Sequence, residues 1–286
     1  MTLLASIPSP SSGTLELGPL TIHMYGLMLL AGIAACIWIT GRRWVARGGD
    51  WDLIFRLSVW GVAGGIVGAR LYHLATSWNE VPDAWWGPFA IWRGGLGVWG
   101  GIALGVLVGG IVAKRAGANV WLLMDCVAPG LLIAQGIGRL GNWWNQELFG
   151  KPTDLPWGLE IDPAHRPVQY FSDATFHPTF LYELVWDFAA VGVLLLVERR
   201  WRIRPPGLFA LYVSLYCFGR FWIEALRVDP THHIGGLRLN DWVAGILFVV
   251  STAFFVWWQW RARKRERAGI VDPKRPAMAV PRSRVR

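Results

Sequence analysis

Charge is what this sequence has least of. Only 16% of its 286 residues are charged, against about 25% in a soluble domain. Set beside 53% hydrophobic residues, that scarcity excludes a disordered chain, a coiled coil and an ordinary soluble enzyme. Cysteine is scarce as well. Cys36, Cys126 and Cys217 each fall inside an apolar segment without CxxC spacing, which argues against a disulfide framework and against a zinc site. The N-terminal stretch Met1 to Pro10 lacks the basic start of a secretory signal, so the first apolar span is expected to be retained. Also missing are a Walker loop, a dinucleotide fingerprint, a Ser-His-Asp order and any metal-ligand spacing. No cofactor and no metal are expected.

What is present is a series of apolar blocks. Crossing about 30 Å of hydrocarbon takes roughly 20 apolar residues. Seven blocks qualify, near 22–40, 53–76, 96–113, 120–137, 178–198, 207–225 and 240–260, of which the second and sixth carry charges. The expected fold class is an all-α polytopic membrane protein with seven transmembrane helices. Lysine and arginine orient it. The segments holding Arg42, Arg43 and Arg47, then Lys114 and Arg115, then Arg199, Arg200, Arg202 and Arg204, and the C-terminal tail together hold nineteen basic residues. Segments 77–95, 138–177 and 226–239 hold six. The expectation is therefore N-out/C-in, with residues 1–21 an extracytoplasmic N-terminal segment and 22–260 the membrane domain. Residues 138–177 contain four prolines and are too long for an idle connection, so they are expected to form a small extracytoplasmic head. Residues 261–286 read as a basic, disordered cytoplasmic tail against the anionic leaflet rather than as a nucleic-acid contact. Gly97, Gly101, Gly105 and Gly109, with Gly61, Gly64, Gly65 and Gly68, read as smooth ridges for close helix packing. Tryptophans at span ends, such as Trp85, Trp86 and Trp257, read as interfacial anchors.

Ionisable groups within such spans mark function, because they are costly there. Arg70 and His73 share one face of the second span. On the sixth, Tyr216, Arg220, Glu224 and Arg227 fall within about 80° of one another at about 100° per residue. That stripe faces either a polar cavity or an internal Arg–Glu pairing. Gly138-Arg139-Leu140-Gly141-Asn142-Trp143-Trp144-Asn145-Gln146-Glu147 and then Gly150 open the expected head, offering close backbone approach and donors matched to phosphate oxygens. His177-Pro178-Thr179-Phe180-Leu181-Tyr182-Glu183 starts the fifth span, and Tyr25-Gly26 the first. All five clusters sit at the outward ends of their spans. An arginine-rich pocket open to the outer leaflet suits an anionic lipid headgroup.

These strings resemble the prolipoprotein diacylglyceryl transferase family. Gly138 to Glu147 looks like the family signature, and the strings at Tyr25, His177 to Glu183 and Tyr216 to Arg227 follow in family order over roughly residues 20–260. The resemblance implies a seven-span enzyme of the bacterial plasma (inner) membrane, its active site facing the outer leaflet. Its partners would be phosphatidylglycerol, prolipoprotein signal peptides with a lipobox cysteine, and membrane lipids, but no nucleic acid. It would move the diacylglyceryl group of phosphatidylglycerol onto that cysteine thiol, forming a thioether and releasing glycerol phosphate. Carried over by position, Arg139 and Arg220 would hold the phosphate and stabilise its growing charge, and Tyr25, Asn142, Glu147, Gly150, Glu224 and Arg227 would shape the pocket. Joined with the residue reading above, the catalytic candidates are Arg139, Arg220, Tyr25, His73 and Glu183. The lipid-binding set is Arg139, Asn142, Asn145, Glu147, Gly150, Arg70, Glu224, Arg227 and Tyr216. Many members carry a His-Gly-Gly triplet at the start of span three, where this chain has Trp99-Gly-Gly101. Tryptophan accepts no proton, so the expectation is that an electropositive pocket activates the thiol, whose free pKa is near 8.5. His73 and Glu183 stand as alternative bases. An anionic lipid or solute transporter and a non-catalytic lipid-binding member of the family stay open as other readings.

Overall fold

The computed structural model describes residues 6–18, 20–229, 231 and 233–267. It is mostly helical. Among the described residues seven long α-helices run α1 (Met24–Val45), α2 (Trp51–Thr76), α3 (Val98–Arg115), α4 (Val120–Trp144), α5 (Thr179–Arg200), α6 (Gly207–Glu224) and α7 (Leu239–Arg267). Six of them are long and apolar enough to cross a membrane, so the chain is a multi-pass membrane protein. The exception is α6, whose eighteen residues include Arg220 and Glu224. Large apolar side chains such as Leu30, Phe55 and Val106 point outward from their helices, as a lipid solvent requires.

Two compact units emerge among the described residues. One takes the residues up to Ile39 and those from Met124 onward; the other is Thr40–Leu123. In the second unit, α2 begins at Asp50, whose carboxylate accepts from the Leu53 N–H at 2.8 Å. It packs along α3 through glycine. A Cβ on Gly68 or Gly100 would strike the other's carbonyl oxygen, Gly105 would meet that of Gly61 at 3.2 Å, and Gly65 that of Gly101 at 3.6 Å. Backbones this close are what a small-residue ridge permits. Gly109 lies off the ridge, with nothing within 4 Å of an added Cβ.

In the first unit, α4, α5 and α6 share a core of Ala128, Leu132, Ala190, Val191, Leu194, Leu208 and Tyr212. Buried Asp125 of α4 accepts from the Phe209 N–H at 2.9 Å, satisfying a free donor at the start of α6. Between α4 and α5 the chain makes strands β3 (Leu159–Glu160) and β4 (Thr175–Phe176), an antiparallel pair, over a second core of Phe149, Leu159, Ile161, Phe176 and Phe180. The N-terminal segment joins this small folded region through an Ile7–Leu159 bridge. It then turns into the β1–β2 hairpin (Thr14–Leu17 and Leu20–His23) that leads to α1.

Two expected boundaries move. Residues 138–144, read from the sequence as the opening of the head, are the last two turns of α4. Their glycines serve packing rather than a loop: a Cβ on Gly141 would meet the Tyr25 ring at 2.6 Å and the Tyr25 Cα at 3.2 Å. Helix α7 also continues to Arg267, seven residues into the expected tail. The tail beyond 267 lies outside the described residues.

Candidate active site

Three helices of the first unit bring their ionisable residues together. Arg139 stands on α4, Glu183 on α5 and Arg220 on α6. Glu183 is 3% exposed. Its Oε1 accepts from Arg139 Nη2 at 2.9 Å and from Arg220 Nη1 at 3.2 Å; its Oε2 accepts from Arg220 Nη1 at 3.1 Å. Two guanidinium groups from different helices thus converge on one carboxylate. The Nε–H of Arg139 is buried with no partner among the described residues. So is the carboxylate of Asp187, one turn along α5 from Glu183, whose two oxygens accept nothing. A buried polar atom without a partner is costly, and its presence at a cluster points to a ligand or to a reacting group.

A second node adjoins the first. Glu224, fully buried at the end of α6, receives Arg220 Nη2 at 2.6 Å on Oε2, with Arg227 Nη1 at 3.4 Å on the same oxygen. Its Oε1 takes Arg238 Nε at 2.8 Å and Asn240 Nδ2 at 3.0 Å. Arg227 and Arg238 meet again at Asp229, at 2.6 and 2.8 Å. Burial pushes the Asp229 carboxyl up, but the hydrogen bond and charge of Arg227 and the charge of Arg238 outweigh it and hold the group below its ordinary value. The pairing expected at the end of α6 is therefore present, and a third arginine, Arg238, from the connection just before α7 completes it.

The signature residues form the third node. Arg139 Nη1 donates to Asn142 Oδ1 at 3.1 Å, and Asn142 Nδ2 donates to Glu147 Oε1 at 2.8 Å. Asn145 Nδ2 reaches the same oxygen at 3.4 Å. On either side of Glu147 the backbone is left-handed without glycine, with φ of +50° at Gln146 and +58° at Leu148. Such strain persists only where the surroundings over-determine it. Here the Gln146 amide donates to Asp162 at 2.6 Å and to the Pro10 carbonyl at 3.0 Å, while Asp162 N–H returns a bond to Gln146 at 2.8 Å. Thr179 closes the turn by donating its hydroxyl to the Leu148 carbonyl. Gly150 is buried where a Cβ would sit 2.7 Å from that of His177, and its N–H donates to the His177 carbonyl at 2.9 Å. The His177 ring bonds Tyr182 at 3.1 Å. Burial, then the Lys151 charge, lowers its pKa, so the neutral imidazole is the form the fold favours.

Of the remaining expected residues, Tyr25 packs on Gly141 two residues from Arg139, and Tyr216 stacks on Tyr212 with ring centres 6.4 Å apart. Arg70 and His73 belong to the other unit. Arg70, 7% exposed, donates to four backbone carbonyls: Gly87 at 2.7 Å, Pro88 at 2.9 Å, Gly94 at 3.0 Å and Gly95 at 3.1 Å. A Cβ on Gly95 would collide with the imidazole of His73. Trp99 faces outward, 62% exposed. Sequence reasoning missed Arg238, Asn240, Asp229 and Asp187. Only Asp187 had a local signal, a second carboxylate four residues after Glu183 within an apolar span.

The expected electropositive pocket is thus charge-compensated, with each arginine of the first unit's cluster facing a carboxylate. Comparison with known proteins agrees with this assembly of strings. The profile of the family described as prolipoprotein diacylglyceryl transferase matches residues 12–257. The chain belongs to the prolipoprotein diacylglyceryl transferase family. Relatives named phosphatidylglycerol–prolipoprotein diacylglyceryl transferase include one from Cutibacterium acnes, 51% identical over 88% of this chain and 86% of its own length. One from Streptomyces griseus is 46% identical over 96% and 83%. A third, transferase 2 of Streptomyces coelicolor, is 46% identical over 88% and 81%. The family match spans all three nodes, from Tyr25 through Asn240.

Proposed function

We propose that the chain transfers the diacylglyceryl group of phosphatidylglycerol to the lipobox cysteine of prolipoproteins, forming a thioether and releasing glycerol phosphate. One observation carries the reading: guanidinium groups of α4 and α6 converge on a single anion within the membrane part of the fold. Two forked donors from separate elements match a phosphodiester better than they match any solute of one acceptor atom. In this reading Arg139 and Arg220 hold the phosphate and stabilise the charge that grows on it as the carbon–oxygen bond breaks. Asn142, Asn145, Glu147 and Gly150 shape the signature turn beside it, Glu224 and Arg227 fix Arg220, and Tyr25 and Tyr216 line its walls. Arg70 and His73 hold the loop before α3. The electrophile and the nucleophile both arrive on substrates.

The same proposal places seven spans in the membrane, counting α6 because its two charges are paired inside the protein rather than turned to lipid. The basic-residue bias supports N-out/C-in, which puts the region between α4 and α5 and the three nodes on the extracytoplasmic side of a bacterial plasma membrane.

The deciding experiment offers the purified protein in phosphatidylglycerol vesicles a peptide with a lipobox cysteine. Release of glycerol phosphate that requires the thiol is the expected result. Phospholipid binding without release would leave a lipid-binding protein, and lipid movement between leaflets without release would leave a transporter.

A further inference from the structure

We propose that Glu183 is a substrate-gated general base: at rest it occupies the phosphate's place between Arg139 and Arg220, and lipid binding releases it to take the thiol proton. The inference rests on the phosphate reading above and gives the buried carboxylate of that site a role of its own.

The clamp has the geometry of an exchange. Both Glu183 oxygens are spent on Arg139 and Arg220, at 2.9 to 3.2 Å. A phosphodiester that takes both guanidinium groups must displace this carboxylate. It brings the same single charge, so the arginines stay compensated throughout and no buried cation is left bare. Each arginine also keeps an anchor when Glu183 leaves. Arg139 retains Asn142 at 3.1 Å, and Arg220 retains Glu224 at 2.6 Å. Glu224 itself is pinned by Arg238 and Asn240 through its other oxygen, so it does not leave with Glu183. The unpartnered Nε–H of Arg139 completes the case: the carboxylate leaves that donor unused, and a phosphate has a further oxygen to fill it.

While clamped, both Glu183 oxygens accept from the two guanidinium groups, and the carboxylate serves as their counter-ion. Once displaced it is a carboxylate beside a bound phospholipid. The thiol S–H proton passes to Glu183. The sulfur lone pair forms the S–C bond to the glyceryl carbon, and the C–O bond breaks with its electron pair left on the phosphate oxygen. Glu183 then gives its proton to that oxygen, glycerol phosphate departs, and the carboxylate returns to the clamp. Thiolate forms only after the lipid is in place, so no activated nucleophile waits in an empty site. This route needs no proton acceptor at position 99, where the chain carries tryptophan.

The test replaces Glu183→Gln in the full chain and measures phosphatidylglycerol binding and transfer separately. A glutamine of the same shape neither competes for the arginines as an anion nor accepts the proton. Lipid affinity is expected to rise severalfold while kcat at neutral pH falls by about 10²-fold or more. Transfer should then recover as pH is raised toward the free thiol's pKa near 8.5. A residue with only a structural part would weaken binding and turnover together. Weaker lipid binding, an unchanged kcat or no recovery at high pH each overturns the proposal. Should the glutamine variant fail to fold, Glu183→Asp keeps the anion on a shorter arm. It is expected to bind lipid more tightly than the unmodified protein and to keep transfer, and loss of either is equally fatal. If the unmodified protein itself transfers nothing from phosphatidylglycerol, the transferase reading fails; the binding comparison still decides whether Glu183 occupies the phosphate's place.

Discussion

Arg70 and the pair Arg139–Arg220 are arginines set into helices, and they are satisfied in opposite ways. Arg70 spends four of its N–H groups on backbone carbonyls of the loop between α2 and α3. Arg139 and Arg220 spend theirs on carboxylate and amide side chains. The difference matters because a carbonyl belongs to the chain and moves only if the loop opens, whereas a carboxylate swings on its own rotamers. An arginine held by carbonyls fixes a shape. An arginine held by a carboxylate holds an anion, and one anion can replace another. The two helix contacts differ in the same sense: α2 and α3 close on each other through glycine backbones, while α4, α5 and α6 meet through ion pairs above an aliphatic core.

The sharpest way to break the contrast is Arg70→Ala. It strips four carbonyls of a shared donor, and at about 1 kcal/mol or more each the fold should lose roughly 4 kcal/mol. Thermal unfolding in detergent, with protease cutting between Trp78 and Gly97, would report it. Arg220→Lys should behave in reverse. It keeps the charge but loses the fork, so transfer is expected to fall by 10²-fold or more, about 2.7 kcal/mol of barrier, with the melting midpoint nearly kept. Equal loss of stability in both variants would erase the distinction. Next in size is the glycine contact. Gly100→Ala forces a Cβ against the Gly68 carbonyl and should cost about 1–3 kcal/mol, while Gly109→Ala, facing open space, should be neutral or gain up to about 1 kcal/mol from helix propensity.

The smallest effect concerns Asp229, whose carboxyl Arg227 and Arg238 hold below its ordinary value. A carboxyl lowered in the fold contributes fully above the ordinary pKa near 3.9 and loses that contribution as pH falls through the folded value. The unmodified protein should therefore lose stability more steeply below about pH 4 than Asp229→Asn. Asp229 is itself partly exposed, so the difference should stay under about 1 kcal/mol. Parallel acid unfolding curves for the two proteins would show that the lattice around Glu224 does not depend on Asp229.

Much of this was legible in one dimension. Apolar blocks of membrane length located all seven helices to within a few residues, except at the ends of α1 and α4 and beyond Trp260 in α7, because burial in lipid leaves the backbone no other way to satisfy its own polar groups. Periodicity alone set Arg220 and Glu224 on one stripe of α6, although the helix ends at Glu224 and Arg227 falls beyond it in a bridge to Gly150, and the glycine spacing marked the ridge between α2 and α3. Both are properties of a single helix. Tertiary structure alone decided that Glu183 bridges arginines of two other helices, that Arg238 completes Glu224 from the next connection, that Arg70 faces carbonyls, and that the Asp187 carboxylate has no hydrogen-bond partner among the described residues. Each of these depends on how one helix is rotated and advanced against another, which local pattern does not encode. A buried charge announces by its cost that it has a partner; which partner it has is set by packing.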